Sequence, residues 1–192
     1  VVPSLTEAGW DNEPHSIAEQ RTFTDGRIIV AGGKVRRGKQ KRADYLLRYT
    51  RDFPIAVVEA KPDYKTPSSG LGQAKGYAQT LGLKFAYSTN GHGIVEFDFT
   101  TGRERELAAF PTPDELWTRL RSADNITDEQ ADRLLHAYHL LPDKRPRYYQ
   151  DVAIHRVVQA VVQGKPRVLV TMATGTGKTV VAFQICWKLW AS

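Results

Sequence analysis

Among 192 residues the chain has a single cysteine, Cys186, so no internal disulfide can brace it and a reducing cytosol suits it. Long apolar runs are missing too. No window approaches the roughly 20 residues needed to cross a bilayer, and the overall apolar content is ordinary for a soluble globular protein. The N-terminus lacks a charged stretch followed by an apolar run and a small-residue cleavage site, the pattern of a secretion signal. Internal repeats and low-complexity segments are absent, which sets aside solenoid and unstructured architectures. These absences point to a cytoplasmic protein with no membrane contact. The length suits one large domain, or one domain and part of a second.

What the chain does have is positive charge, and the charge is clustered. The formal net charge is +6. Lys34, Arg36, Arg37, Lys39, Lys41 and Arg42 crowd together, interleaved with Gly32, Gly33 and Gly38. The pattern reads as a flexible basic loop. A solvated surface would explain it, but its place just before Asp44 favours contact with nucleic-acid phosphates.

Residues 13–21 read as a short helix that carries Glu19. A turn at Asp25-Gly26 leads to the apolar strand Ile28–Ala31. Asp44 to Tyr49 and Ile55 to Lys61 are two further strands. Ser68-Ser69-Gly70 opens a helix that runs through Leu81 and stops at Gly82. Lys84 to Thr89 and Gly93 to Phe99 flank Asn90-Gly91, a strong hairpin signal. Thr112-Pro-Asp-Glu115 and Thr127-Asp-Glu-Gln130 are capping boxes that start two helices. Leu141–Pro146 reads as a linker. Ile154, Val157, Val158, Val161 and Val162 then keep helical spacing up to Gly164.

The hairpin between the two central strands concentrates chemistry. If its turn centres between Arg51 and Asp52, Asp44 lies directly opposite Glu59, with Cβ atoms roughly 5 Å apart. Lys61, two residues on, shares the face of Glu59. Two carboxylates this close repel each other unless a cation sits between them, and Mg²⁺ takes such oxygen ligands readily. A bound Mg²⁺ would activate water and polarise a phosphate, while Lys61 would hold the water or neutralise developing charge. An ordinary surface ion network is the alternative for an isolated match. Against it, Glu59 and Lys61 end a strand whose interior is apolar, where charge is costly. Gln73 and Tyr77 lie four residues apart on one helical face, and Glu19 offers a possible further metal carboxylate.

Near the C-terminus, the apolar run Val168–Val170 reads as a strand entering Ala173-Thr-Gly-Thr-Gly-Lys-Thr179. Backbone N–H groups of Thr174, Gly175, Thr176 and Gly177 would wrap the phosphates of ATP. Lys178 would reach the terminal phosphates, and Thr179 would ligate Mg²⁺. Upstream, Arg147-Tyr-Tyr-Gln150 can open the helix that follows.

These residues carry a resemblance. Asp44, Glu59 and Lys61 match the Asp…(Asp/Glu)-x-Lys motif of the restriction-endonuclease superfamily. Gln73-Ala-Lys-Gly-Tyr77 is similar to the Gln-x-x-x-Tyr motif of type I restriction enzyme motor subunits, in which Gln and Tyr are thought to contact DNA. The phosphate loop resembles that of helicase-type motors, which also lack glycine at the position of Met172, and Gln150 resembles the glutamine with which superfamily 2 motors read adenine. The resemblance implies an α/β fold. A restriction-endonuclease-like core (αβββαβ, mixed sheet) would occupy residues 1–110, a helical segment and linker 111–146, and the first βα unit of a RecA-like motor domain 147–192. It also implies cutting of double-stranded DNA after ATP-driven translocation, with specificity and methylation subunits as partners. No acidic second motor motif follows the phosphate loop, so the chain reads as an N-terminal portion of a larger subunit that would not hydrolyse ATP efficiently alone. Two rival readings stand: another superfamily 2 helicase–nuclease, of repair or type III restriction type, and a non-catalytic DNA-binding or docking module on a degenerate nuclease fold.

Overall fold

The structure is a computed structural model that describes residues 1–24, 28–31, 34–37, 40–139 and 146–191; for 21, 23–24, 28–31, 34–37 and 40 it describes the backbone. It divides into two compact units, Val1–Thr50 with Pro54–Trp117, and Arg51–Phe53 with Thr118–Ser192.

The first unit is built on β5 (Phe53–Ala60), whose interior is a nearly continuous apolar run. Such a run suits a strand covered on both faces, and Ile55, Ala56, Val57 and Val58 are all buried. Burial of Ile55, Val57 and Val58 contributes about 1.5–3 kcal/mol each, enough to carry a charged neighbour into the sheet. Around β5 lie β1 (Ser16–Thr24), β4 (Gln40–Thr50), β6 (Phe85–Thr89), β7 (Ile94–Asp98) and β8 (Arg103–Leu107), in the order β1-β4-β5-β6-β7-β8. β5 and β6 run parallel. The pairs β1–β4, β6–β7 and β7–β8 are antiparallel. A separate two-stranded sheet joins β2 (Ile28–Ala31) to β3 (Lys34–Arg37).

A parallel pair needs a crossover. Here it is a 3₁₀ turn, Pro67–Gly70, running into α2 (Leu71–Leu81). Helix α2 ends as expected: Gly82 adopts φ 76°, and the Leu83 amide returns to the Ala78 carbonyl at 2.8 Å. β4 ends at Thr50 and β5 starts at Phe53, so Arg51 and Asp52 form the connection. Two residues can join only antiparallel neighbours.

Three expectations are corrected. Residues 13–21 do not form a helix; Ser16–Thr24 is strand β1, paired along β4, and the short helix α1 lies earlier, at Val2–Glu7. Pairing with a long central strand outweighs the weak helical pattern. The added strand β8 is almost wholly charged, as suits a sheet edge. The basic segment is largely strand rather than loop: Lys34–Arg37 is β3, while Lys41 and Arg42 pair with Phe23 and Thr22 in the main sheet. Lys39, Gly32, Gly33, Gly38 and the Asp25-Gly26 turn lie outside the described residues.

Helix α3 (Pro113–Asp124) opens on the Thr112–Glu115 capping box, with both reciprocal hydrogen bonds formed. In the second unit α4 (Asp128–Leu135) does the same with Thr127 and Gln130. It packs with α5 (Tyr148–Val162) and α6 (Lys178–Trp190). Val168–Val170 forms no strand; all three residues are exposed, with Leu169 92% exposed. A strand needs a neighbour to satisfy its backbone groups, and no strand of this unit pairs with it among the described residues.

Candidate active site

Asp44 on β4 and Glu59 on β5 come together as their spacing suggests. The Ala60 N–H donates to Asp44 Oδ2 at 2.8 Å, which sets the Asp44 carboxylate against the last residues of β5. Glu59 is 3% exposed. Its Oε1 accepts from Lys61 Nζ at 2.8 Å, while its buried Oε2 has no hydrogen-bond partner. Burial raises the Glu59 pKa above the ordinary glutamate value; the Lys61 hydrogen bond pulls it down, and the negative charge of Asp44 pushes it up again. The net direction is up, with burial as the largest cause.

Lys61 continues a chain of contacts outward. Its Nζ also donates to Gln73 Oε1 at 3.0 Å, and Gln73 Nε2 donates to the Tyr77 hydroxyl at 2.6 Å. Gln73 is exposed, whereas Tyr77 is buried at 7% exposure. Tyr77 therefore packs in the unit with its hydroxyl tied to Gln73, and Gln73 is the member of the pair that faces solvent.

Two residues of this site carry no sequence signal of their own. Ser88, fully buried on β6, pairs with Glu59 in the parallel register, and its Oγ accepts from the Gly70 N–H at 3.1 Å. Gly70 closes the site from above. A Cβ there would lie 2.6 Å from Ser88 Oγ, 2.7 Å from Lys61 Cε and 3.1 Å from Glu59 Cγ. Only the crossover brings Gly70 and Ser88 to Glu59, so spacing along the chain could not reveal them.

Glu19 is not brought to the pair. It is exposed and opposite Tyr45, and the pleat turns Tyr45 to the face away from Asp44. Burial, then the charges of Glu19 and Asp44, raise the Tyr45 pKa. Among the described residues no group of three His, Cys, Asp or Glu side chains could hold a metal ion. The carboxylates that the site does bring together are Asp44 and Glu59.

The second unit holds the glycine-rich loop Ala173–Thr179. Gly175 and Gly177 take φ 76° and 83°, the left-handed region that favours glycine. Thr176 Oγ1 donates to the Ala173 carbonyl at 2.6 Å. Lys178 Nζ donates to the carbonyls of Met172 and Ala173 at 3.3 and 3.1 Å. Thr174, Gly175, Lys178 and Thr179 are exposed. Gln150 lies beneath the loop, 8% exposed. Its Oε1 accepts from the Arg147 N–H at 2.8 Å, and its Nε2 donates to the Thr176 carbonyl at 2.8 Å. A Cβ on Gly177 would lie 2.4 Å from Gln150 Nε2. Both ends of this amide are thus engaged within the protein.

Comparison with known proteins gives a consistent class. Residues 143–192 match the family model described as "Type III restriction enzyme, res subunit". Across its full length the chain is 38% identical to the type I restriction enzyme EcoAI endonuclease subunit of Escherichia coli, of which it covers 24%. Over 96% of its length it is 30% identical to the EcoKI endonuclease subunit of Escherichia coli strain K12, covering 20% of that protein. It also superposes on a solved fragment of an HsdR subunit of a type I restriction enzyme from Vibrio vulnificus YJ016. There the TM-score is 0.86 and the identity 64%, over 99% of this chain and 36% of that one.

The class is that of restriction-enzyme subunits. Within it, the chain is homologous over its whole length to type I restriction enzyme endonuclease subunits, the HsdR family. It spans a quarter or less of the length of the curated relatives it matches.

Proposed function

We propose that the first unit is an Mg²⁺-dependent endonuclease with a restriction-endonuclease-like core, and that the second begins the RecA-like ATP-driven motor of a type I restriction subunit. Double-stranded DNA is the substrate, the specificity and methylation subunits are the partners, and the compartment is the cytoplasm. The observation that carries this reading is the buried, partnerless Oε2 of Glu59 beside Asp44, with Lys61 already bound to the other oxygen. A carboxylate oxygen buried without a partner is costly, and a cation held by the two carboxylates would relieve it.

Asp44 and Glu59 would hold the Mg²⁺, which when bound would lower the pKa of a water and polarise the scissile phosphate. Lys61, fixed between Glu59 and Gln73, supplies a positive charge where negative charge develops as the phosphodiester is attacked. Gln73 and the basic residues Lys34, Arg36, Arg37, Lys39, Lys41 and Arg42 would contact the DNA backbone. In the second unit Thr174–Thr179 would bind ATP, with Lys178 exchanging its loop carbonyls for the terminal phosphates. With both amide ends engaged, Gln150 supports the loop backbone, and reading adenine requires it to exchange its bond to Arg147 or Thr176.

The test is DNA cleavage by the assembled enzyme carrying Asp44→Ala or Glu59→Ala in the full-length subunit. Cleavage should fall on the order of a thousandfold or more, while ATP hydrolysis persists. Cutting at the wild-type rate by either variant would overturn the assignment.

A further inference from the structure

The segment from Lys61 to Pro67, which leaves the carboxylate site and leads to the crossover helix, is an arch pinned at several points. The Lys61 N–H donates to the Thr89 carbonyl at 2.7 Å. Within the arch, the Lys65 N–H closes a turn on the Pro62 carbonyl at 3.0 Å. The Asn90 side chain spans the middle, donating to the Lys65 carbonyl at 2.7 Å and the Asp63 carbonyl at 3.4 Å. Asn90 is itself fixed, since its Oδ1 accepts from the N–H groups of His92 and Gly93 at 3.1 and 3.0 Å. At the far end Pro67 sits on Gly93, where a Cβ would come within 2.6 Å of Pro67 Cγ. The arch is clamped to the β6–β7 turn.

What this clamped arch displays is Tyr64, 81% exposed. An aromatic ring so exposed adds little to folding, since most of its apolar surface stays in water. Pinning the backbone beneath it has already removed much of the conformational freedom that binding would otherwise cost. Tyrosine offers a large, stiff contact area with few rotatable bonds, and its apolar ring face packs on a deoxyribose whatever base that sugar carries. Three residues before it stands Lys61 of the candidate active site, and Lys65 beside it adds a positive charge that suits a phosphate backbone.

We propose that Tyr64 is a DNA-contacting residue whose ring packs on the nucleotide flanking the phosphate that is cut. The ring face makes the contact, and Lys65 holds the adjoining phosphate. This inference rests on the nuclease reading of Asp44, Glu59 and Lys61. It adds a contact that tolerates any sequence.

The experiment uses the full-length subunit assembled with its partner subunits, and measures DNA cleavage and ATP hydrolysis side by side. Tyr64→Ala should cut about tenfold more slowly, the scale of one lost aromatic packing contact, with ATP hydrolysis unchanged. Tyr64→Phe, which keeps the ring, should cut as the wild type does. Wild-type cutting by Tyr64→Ala overturns the proposal. So does a Tyr64→Phe variant as slow as Tyr64→Ala, because the hydroxyl would then be the contact. A joint loss of cutting and ATP hydrolysis also overturns it, by showing a packing role. An Asp44→Ala control separates the two readings: if that variant is inactive while Tyr64→Ala cuts normally, this inference alone fails.

Discussion

The carboxylate site and the phosphate loop are assembled by opposite means. The first is made of side chains delivered by neighbouring strands. Glu59, Lys61, Gln73 and Tyr77 form a connected series, closed by Gly70 and Ser88 with no room for one more methyl group. The second is made of backbone. Its shape comes from left-handed Gly175 and Gly177 and from hydrogen bonds onto loop carbonyls, and it lies at the surface. A site built from packed side chains is sensitive to volume and to buried charge. Under the proposed function, a loop built from backbone is sensitive to one cation, Lys178, which would leave its carbonyls for a ligand.

The largest effect should come from that cation. Lys178→Ala in the full-length subunit should abolish ATP-dependent translocation, and with it the cleavage that depends on translocation, although Asp44, Glu59 and Lys61 are untouched. Cutting of a circular DNA bearing one recognition site by this variant would break the proposed dependence of one site on the other.

A smaller but still large loss is expected from volume alone. In Gly70→Ala the new methyl must displace Ser88, Lys61 and Glu59. Displacements of about 1 Å in a catalytic group cost on the order of a hundredfold, so cleavage should fall by that scale while ATP hydrolysis is retained. Ordinary cutting by Gly70→Ala would show that the carboxylate site is looser than the phosphate loop, reversing the comparison.

The smallest effect concerns buried charge. The raised pKa of Glu59 means that the folded protein holds the proton more tightly than the unfolded chain does. The associated stability is present at acidic pH and is lost as pH rises through the raised value. Without divalent cations, Glu59→Gln should therefore unfold at a higher temperature than wild type at neutral pH, with the gap closing in acid. Added Mg²⁺ should raise the midpoint of the wild type and leave that of Glu59→Gln unmoved. A gap that is constant with pH would remove the charge argument.

The parts of this fold that were legible in sequence are those set by short-range rules. Gly82 ends α2, Thr112 and Thr127 cap their helices, and Asn90-Gly91 turns β6 into β7, because each depends on residues a few positions apart. The hairpin that brings Asp44 to Glu59 belongs with them, since two residues connect its strands. Long-range pairing was less accessible. Residues 13–21 have a pattern that fits a helix, and only pairing with β4 makes Ser16–Thr24 a strand. Val168–Val170 has the composition of a strand and no partner. Gly70 and Ser88 meet Glu59 through a crossover whose geometry no local pattern reports. Tyr64 gave no signal because exposure belongs to the folded surface.

The edge strand β8 has a consequence for how copies of this unit meet. It alternates Arg103, Glu104, Arg105 and Glu106, and its outer side is the end of the sheet. If two copies joined edge to edge in antiparallel fashion with their sheet faces aligned, residues opposite one another would share parity, because side chains alternate along a strand. Arginine would then always meet arginine and glutamate always glutamate, whatever the register, and like charges set directly opposite are destabilising. The alternation of sign therefore works as a parity check. It leaves one strand's worth of unpaired backbone exposed while rejecting a second copy of itself as the strand to fill it.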